Sequence, residues 1–281
     1  EVNQKRDKNS PEYELCDALA DDFAQGKYFD VFVEYAKAND QEILCRITAY
    51  NRSQTDDASL HILPHLWYRN DWSWGYDDHH KKTVLQEKDG HVETNHRHLG
   101  ERFWYVRVNP SCDASCTPEF LFTENESNLE SLFGAPNASP FVKDGINRFI
   151  VDGVKSAVNP AKSGSKVASH TSFNIKPQQC VVVETRFANK AMEVPFDDFD
   201  DVFAQRLQEA NEFYATIHGD KLTKDECKVQ RQALAGLMWS KQFYHYGVEL
   251  WKKGDPAHPP PPKSRENGRN KEWNHLYNLD V

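Results

Sequence analysis

The sequence predicts an antiparallel all-β domain, a sandwich with long loops, followed by helices. Segments of alternating apolar and polar residues recur up to about residue 190. Clusters of Gly, Pro, Asn, Asp and Ser separate them, and no segment between them is helical enough to connect parallel strands. From Val194 the apolar period changes from about two to about 3.6 residues, which indicates helices. With 281 residues, of which 38% are hydrophobic, the chain can bury a substantial core.

The first strand pair is predicted from YFDVFVEYAKA and EILCRITAYNR, which a polar NDQ turn separates. In the segment QCVVVETRF, residues of one parity face one side and residues of the other parity face the opposite side, so this strand is the clearest. Strands are further predicted at residues 60–69, 102–108, 119–123, 147–152, 167–175 and 179–186, the last of which lies in the segment QCVVVETRF.

Two helices are predicted after residue 194. The first carries an apolar stripe from Phe199 to Ile217, with aspartates near its start where the helix dipole favours negative charge. The second begins at Thr223, whose spacing to Glu226 forms a capping box, and runs to about Trp251 with Phe243 or Tyr244 on its stripe. A loop with four consecutive prolines follows. Aromatic residues surround much of the second helix, so we expect helical partners beyond Val281.

The composition disfavours several functions. A formal charge of −9 repels nucleic acid and anionic membranes, and no apolar run approaches the roughly 18 residues of a spanning helix. The sequence contains no Gly-rich phosphate loop, no GxSxG elbow and no HExxH motif. The scattered cysteines favour the cytoplasm, whereas sequons at Asn51, Asn125 and Asn137 fit the endoplasmic reticulum.

The densest candidate site is the segment HILPHLWYRNDWSWGYDDHH, where aromatic rings alternate with polar groups. Arg69, Asn70, Trp72 and Trp74 combine flat stacking faces with the amide and guanidinium groups that bind sugar hydroxyls. The alternative is that these tryptophans bury a loop against the β domain.

A second candidate lies at a strand end, in LFTENESNLESLFG. Glu124 and Asn125 are predicted to reach a binding site there, since strand ends commonly deliver polar side chains. The alternative is a short helix with Thr123 or Asn125 as its N-cap.

Metal binding is weakly indicated. His96 and His98 would lie on one side of a strand, and Cys112 and Cys116 share a loop where they could form a disulfide or supply two zinc ligands. The alternative for the cysteines is two free surface thiols, and no third ligand is spaced to complete the histidine set, so no metal and no cofactor are predicted.

Several segments, in order, together resemble glycoside hydrolase family 63, the mannosyl-oligosaccharide glucosidase-like proteins. These segments are PEYELCD, KYFDVFVEYAKA, LPHLWYRNDWSWG, LFTENESN, SPFVKDGINRFIV, QALAGLMWSKQFYHYGVELW and EWNHLYNLDV. The resemblance extends from about Pro11 to Val281.

The resemblance implies a β super-sandwich followed by the start of an (α/α)6 barrel. Residues 1–193 would form the sandwich, 194–222 a linker helix, and 223–281 the first helix and loop of the barrel. Members of the family hydrolyse an α-glycosidic bond of an oligosaccharide or small glycoside with inversion, using a pair of carboxylates. Both carboxylates are expected beyond Val281, so no catalytic residue is assigned.

The resemblance also places His275, Tyr277, Asn278 and Asp280 in the stretch that leads to the family's substrate-facing loop. They are therefore further candidate sugar contacts. The rival hypothesis is a non-catalytic carbohydrate-binding or scaffolding β-sandwich whose C-terminal helices dock on another subunit.

Overall fold

The computed structural model describes residues 1–76, 81–112, 116–219, 221–241 and 246–278. The chain divides into two compact units. The sheet unit comprises Glu1–Tyr68 and Thr83–Phe199, and the helical unit comprises Arg69–Lys82 and Asp200–Val281. The residues from Arg69 to Lys82 therefore leave the sheet unit and belong to the helical unit.

The sheet unit contains eleven strands and five short helices among its described residues. The strands are β1 (Phe29–Asn39), β2 (Glu42–Asn51), β3 (Ala58–Ile62), β4 (His65–Trp67), β5 (Leu85–Lys88), β6 (His91–His96), β7 (Gly100–Val108), β8 (Glu119–Thr123), β9 (Ser163–Gly164), β10 (Lys166–Ile175) and β11 (Cys180–Ala188). The helices are α1 (Val2–Lys5), α2 (Leu15–Ala18), α3 (Ala20–Ala24), α4 (Leu129–Phe133) and α5 (Gly145–Val151), and Lys155–Ala157 forms a 3₁₀ turn.

All strand pairs are antiparallel, as the sequence predicts. A seven-stranded sheet has the order β1-β2-β11-β7-β6-β5-β9. In a second, four-stranded sheet, β10 pairs with β3, β4 and β8. Because β11 pairs with β2 over eight residues and with β7 over six, it is an interior strand of the larger sheet.

Side chains of the two sheets share the hydrophobic core. In one cluster, Ala49, Val181 and Val183 of the larger sheet contact Ile62, Phe173 and Ile175 of the smaller one. In another, Leu85, Val92 and Trp104 contact Phe120, Phe122 and Val167. The apolar residues of one parity on these strands thus contribute to a core that the two sheets share.

Charged residues lie on the other face of the larger sheet. The buried Glu184 on β11 accepts a hydrogen bond from Arg107 Nε at 2.7 Å and lies 3.5 Å from Arg46 Nε. The guanidinium of Arg107 lies over the Phe196 ring at 4.5 Å, and that of Arg46 over Phe199 at 5.3 Å. These contacts fix the segment that precedes the long helix against the sheet.

The structure confirms most predicted strands and adds a hairpin. Residues 60–69 contain two strands, the end of β3 and β4, which pair with consecutive parts of β10. The ladder is interrupted at Pro64, which has no N–H to donate and whose carbonyl accepts from Ser169 N at 2.9 Å. The hairpin of β5 and β6 was not predicted. Its turn is Asp89-Gly90, with φ of 50° and 80°, the left-handed backbone that a tight hairpin turn needs.

The predicted strand at 147–152 is wrong, because these residues belong to helix α5 and its C-terminus. The β-branched and aromatic residues of INRFIV favoured a strand. However, the buried Ile146 and Phe149 are three residues apart and Ile146 and the partly buried Ile150 are four apart, the helical spacing, and these residues place the helix against Leu121 and Ala168.

The helical unit contains α6 (Phe199–His218, whose first residue belongs to the sheet unit), α7 (Lys224–Ser240) and α8 (Val248–Lys253). It also has a two-stranded pair, β12 (Tyr246–Gly247) and β13 (Tyr277–Asn278), and 3₁₀ turns at Trp72–Trp74 and Lys263–Asn267. The Thr223–Glu226 capping box is confirmed. Among the described residues, these helices do not close a barrel, and none is long and apolar enough to cross a membrane.

The prediction of one continuous helix from Thr223 to Trp251 is wrong. Helix α7 ends at Ser240, because Lys241 has an extended backbone with ψ of 122°. A separate helix, α8, begins at Val248. The predicted stripe residues Phe243 and Tyr244 lie outside the described residues.

Candidate functional site

The helical unit contains a cavity of about 420 Å³, which we call the aromatic cavity. In the described part of the chain, four aromatic residues line it: Trp74, Tyr76, Tyr246 and Trp251. The charged residues among the described lining are Arg69, Asp255 and Arg265. The volume lies within the range of small-ligand sites, and the lining combines flat apolar faces with a few polar groups.

The loop that carries Arg69 and Trp74 is held by a close contact between two backbone segments. Asn70 Oδ1 accepts from Ser73 N at 3.2 Å, which closes the turn before the 3₁₀ segment. Trp74 O then accepts from Ala257 N at 3.0 Å. Gly75 has φ of +80°, and a Cβ at this position would lie 2.7 Å from the Ala257 Cβ, so only glycine fits there without strain.

The opposite wall is formed by α8 and the strand pair before it. The fully buried Val248 donates its N–H to Leu276 O at 3.1 Å, so the start of α8 is tied to β13. Gly254 ends the helix with φ of +75°, and Pro261 packs closely against it. Arg265 returns to the helix by donating to Trp251 O at 2.9 Å.

An arginine side chain stacks over each tryptophan of the aromatic cavity. The Arg69 guanidinium carbon lies 5.1 Å from the Trp74 ring centre, and that of Arg265 lies 4.7 Å from the Trp251 ring centre. The attraction between a guanidinium and an indole face holds both side chains in defined positions. Trp74 and Tyr76 also meet edge to face, with centroids 6.3 Å apart.

The one carboxylate among the described lining residues is Asp255. It accepts from the Tyr76 hydroxyl at 2.9 Å and lies 3.2 Å from His258 Nδ1. The hydrogen bond to Asp255, together with partial burial and the negative charge, raises the pKa of the Tyr76 hydroxyl above its usual value. Tyr76 therefore stays protonated and anchors the carboxylate.

The structure brings several of the predicted site residues together. Arg69 and Trp74 line the aromatic cavity, and Asn70 and Trp72 belong to the same loop. Tyr277 pairs with Gly247 and Asn278 with Tyr246, so both strand partners line the cavity. His275 lies two residues before Tyr277, where its ring stacks on Trp273 at 5.6 Å. Asp280 lies outside the described residues.

Glu124 and Asn125 are placed differently, since both lie in the sheet unit. Glu124 Oε2 accepts from Ser165 Oγ at 2.5 Å, and Ser165 Oγ accepts from Asn125 N at 2.8 Å. The side chain of Asn125 donates to Tyr68 O at 3.0 Å. These bonds join the end of β8 to the start of β10. The short helix predicted nearby is present as α4, but Asn128 caps it, through Ser131 N at 3.1 Å.

Sequence reasoning missed Trp251, Asp255 and Arg265 as site residues. Trp251 was assigned to a helix face, and Asp255 and Arg265 to a proline-rich surface loop. The only sequence signal was that this loop follows an aromatic-rich helix directly, and it does not identify which residues face the cavity.

The residues considered for metal binding do not form a metal site in the described part of the chain, which contains no suitable group of three or more ligands. Cys112 Sγ accepts from Val182 N at 3.1 Å, while Cys116 Sγ contacts Ser172 O at 3.2 Å. Both thiols are free, and each bonds a different strand, β11 or β10.

A second cavity of about 330 Å³ lies on the larger sheet and offers different chemistry. Its lining includes Glu87, Glu93 and Glu101, and a single aromatic ring, Phe103. Lys88 and His91 pair with Glu93. This second cavity lacks a set of stacking faces, so the aromatic cavity is the stronger candidate site.

Comparison with known proteins gives one informative relative. No family model matches the chain. The Uncharacterized protein YMR196W of Saccharomyces cerevisiae is 35% identical over 314 aligned residues, which cover 99% of this chain and 29% of the relative. The chain thus spans less than a third of the length of the curated relative that it matches.

Proposed function

We propose that the aromatic cavity binds a glycosyl residue of an oligosaccharide or small glycoside. The observation that carries this proposal is the set of two tryptophans and two tyrosines around one carboxylate and two guanidinium groups. Sugar rings present C–H faces that stack on indole rings, while their hydroxyls bond to carboxylate and guanidinium groups in pairs. The net charge of −9 is compatible with a neutral or weakly charged sugar.

The chain is further proposed to be part of an inverting glycoside hydrolase of the α-glucosidase type. In this proposal the two sheets are a β-sandwich, and α7 is the first helix of an (α/α)6 barrel. Support comes from the core shared by the two sheets, the exposed apolar residues on α6 and α7, and the greater length of the yeast relative. The acid and base carboxylates would lie in the part of the enzyme outside these 281 residues.

A second candidate function is a carbohydrate-binding module without chemistry of its own. One observation favours it. An inverting glycosidase needs two carboxylates roughly 6.5–9.5 Å apart. The described residues of the aromatic cavity include one carboxylate, Asp255, which Tyr76 and His258 already engage.

Titration calorimetry with gluco- and manno-oligosaccharides tests sugar binding. We expect Trp74→Ala or Trp251→Ala to weaken binding about tenfold, because each removes a stacking face. Trp239→Ala is the matched control, since this tryptophan belongs to the same unit, is 82% exposed and lies outside the cavity. Absence of sugar binding to the wild-type chain, or equal losses in all three variants, would overturn the proposal.

Hydrolysis of aryl α-glucosides tests whether the chain has glycosidase activity of its own, and it distinguishes the hydrolase from the binding module. The 281 residues alone are expected to show no turnover. Turnover that Asp255→Asn abolishes would contradict the placement of the catalytic carboxylates outside the chain. Restored turnover when the chain is part of a longer protein would favour the hydrolase over the binding module.

A further inference from the structure

Cationic side chains outnumber anionic ones among the described residues of the aromatic cavity. This difference indicates which charge a bound glycoside should carry. Among the described residues that line the cavity there are two arginines and one aspartate, in a chain whose formal charge is −9. The carboxylate of Asp255 is held by the Tyr76 hydroxyl and His258. The cavity is therefore locally cationic on an acidic protein.

The two guanidinium groups have no acidic partner among the described residues. Arg69 is held by the face of Trp74, and Arg265 by the face of Trp251 and one hydrogen bond to Trp251 O. Each guanidinium has five N–H donors, so most of them stay available at the edge of its plane. Stacking on an indole ring restricts the plane without consuming those donors.

A neutral sugar does not need two such groups. Covering an unpaired cation with a neutral ligand removes water from it without supplying a counter-charge, which is unfavourable. A carboxylate or phosphate supplies the counter-charge and matches the fork geometry of arginine.

We infer that the aromatic cavity selects a glycoside carrying an anionic group, a carboxylate or a phosphate, which Arg69 and Arg265 bind while the sugar ring stacks on the tryptophans. This inference rests on the proposed sugar binding at the same cavity. It adds that the ligand is anionic, whereas the acidic composition of the chain as a whole favours a neutral or cationic ligand.

Calorimetry with four probes tests the inference: methyl α-glucoside, glucuronic acid, glucose 6-phosphate and inorganic phosphate. At low salt, at least one of the two acidic sugars is expected to bind about tenfold more tightly than the neutral glucoside. Whichever acidic sugar binds more tightly identifies the anionic group. High salt should reduce this preference and leave binding of the neutral glucoside unchanged.

Arginine variants assign the preference to residues. Arg69→Gln and Arg265→Gln should each weaken binding of the acidic sugar more than binding of the neutral glucoside, so that the preference falls, and thermal unfolding reports that each variant has folded. Arg231→Gln is the matched control, because Arg231 stacks on Tyr214 at 4.7 Å in the same unit but does not line the cavity. It should leave the preference unchanged.

The outcomes distinguish the two proposals. Equal affinity for neutral and acidic sugars would overturn this inference and leave sugar binding intact. Failure of all the sugars to bind would overturn the proposed function itself. Inorganic phosphate binding as tightly as glucose 6-phosphate would also overturn the inference, because the site would then recognise charge alone.

Discussion

Glu42 and Arg186 form an ion pair inside the sheet unit, with Glu42 Oε2 at 2.6 Å from Arg186 Nη2 and both residues 2% exposed. Arg186 also donates to Asp198, in the segment that leads to α6. Burial raises the pKa of Glu42, but the hydrogen bonds and charge of Arg186 outweigh it, so the pKa is lowered. The hydrogen bond from Arg186 likewise lowers the pKa of Asp198. Both carboxylates thus stabilise the fold in their ionised form.

The free energy of unfolding should therefore fall with acidification. A carboxylate with a lowered pKa contributes stability above its unfolded value, 4.5 for Glu42 and 3.8 for Asp198, and loses it as pH falls through the lower folded value. Urea unfolding at several pH values should show a shallower decline below about pH 5 for Asp198→Asn than for the wild type. The exposed Asp152→Asn serves as control. Identical pH slopes for all three proteins would refute the coupling.

At the scale of elements, the loop of Trp74 depends on Gly75. Gly75→Ala should weaken sugar binding about tenfold, because its Cβ cannot approach Ala257 without moving the tryptophan. Gly90→Ala is a matched control: it has the same φ of +80° with no atom within 4 Å. Gly90→Ala should lose about 1 kcal/mol of stability from backbone strain, and Gly75→Ala should lose more because its Cβ also clashes with Ala257, as measured by thermal unfolding. Unchanged affinity in Gly75→Ala would show that the loop contact does not position the site.

The sequence predicted correctly those elements for which the local residue pattern and the tertiary packing favour the same secondary structure. Strand β11 alternates clearly and lies inside its sheet with a partner on each side, and Thr223 and Glu226 cap the start of α7 through local hydrogen bonds. The segment of α5 differs, because its β-branched residues favour a strand while packing against Leu121 and Ala168 selects a helix. The Asp89-Gly90 pair is typical of a hairpin turn, and it is the local sequence pattern that indicates the hairpin of β5 and β6.

At the scale of the whole molecule, the site could be predicted only in part. Arg69 and Trp74 were recognisable because aromatic and polar residues cluster in one short segment. Asp255, which lines the same cavity, is 179 residues from Tyr76, to which it is hydrogen-bonded, and no local pattern relates positions so far apart. Tertiary contacts of this kind determine which of 43 acidic residues lines the cavity.

The helices of the helical unit also leave apolar residues uncovered. Leu207 and Phe213 on α6, and Leu237, Met238 and Trp239 on α7, are all more than half exposed. We expect the chain to self-associate as its concentration rises, since such surface favours burial against another apolar face. Light scattering during size-exclusion chromatography measures the mass.

The double variant Leu237→Gln/Trp239→Gln should shift the chain toward the monomer. Val151→Gln is the control, because Val151 is a similarly exposed apolar residue on α5 of the sheet unit. A wild-type chain that stays monomeric at all concentrations would contradict this expectation.

The assignment of Arg69–Lys82 to the helical unit has a consequence for biosynthesis. The polypeptide passes between the two units three times, after Tyr68, Lys82 and Phe199. A ribosome therefore releases the arginine and tryptophan of one wall long before it makes Trp251 and Asp255, and in the interval β5 to β11 can already pair. The aromatic cavity consequently cannot close before the strands of the sheet unit have been synthesised. Cutting the chain once at the Phe199–Asp200 junction would remove the nearest covalent link between the helices and the loop that completes their cavity.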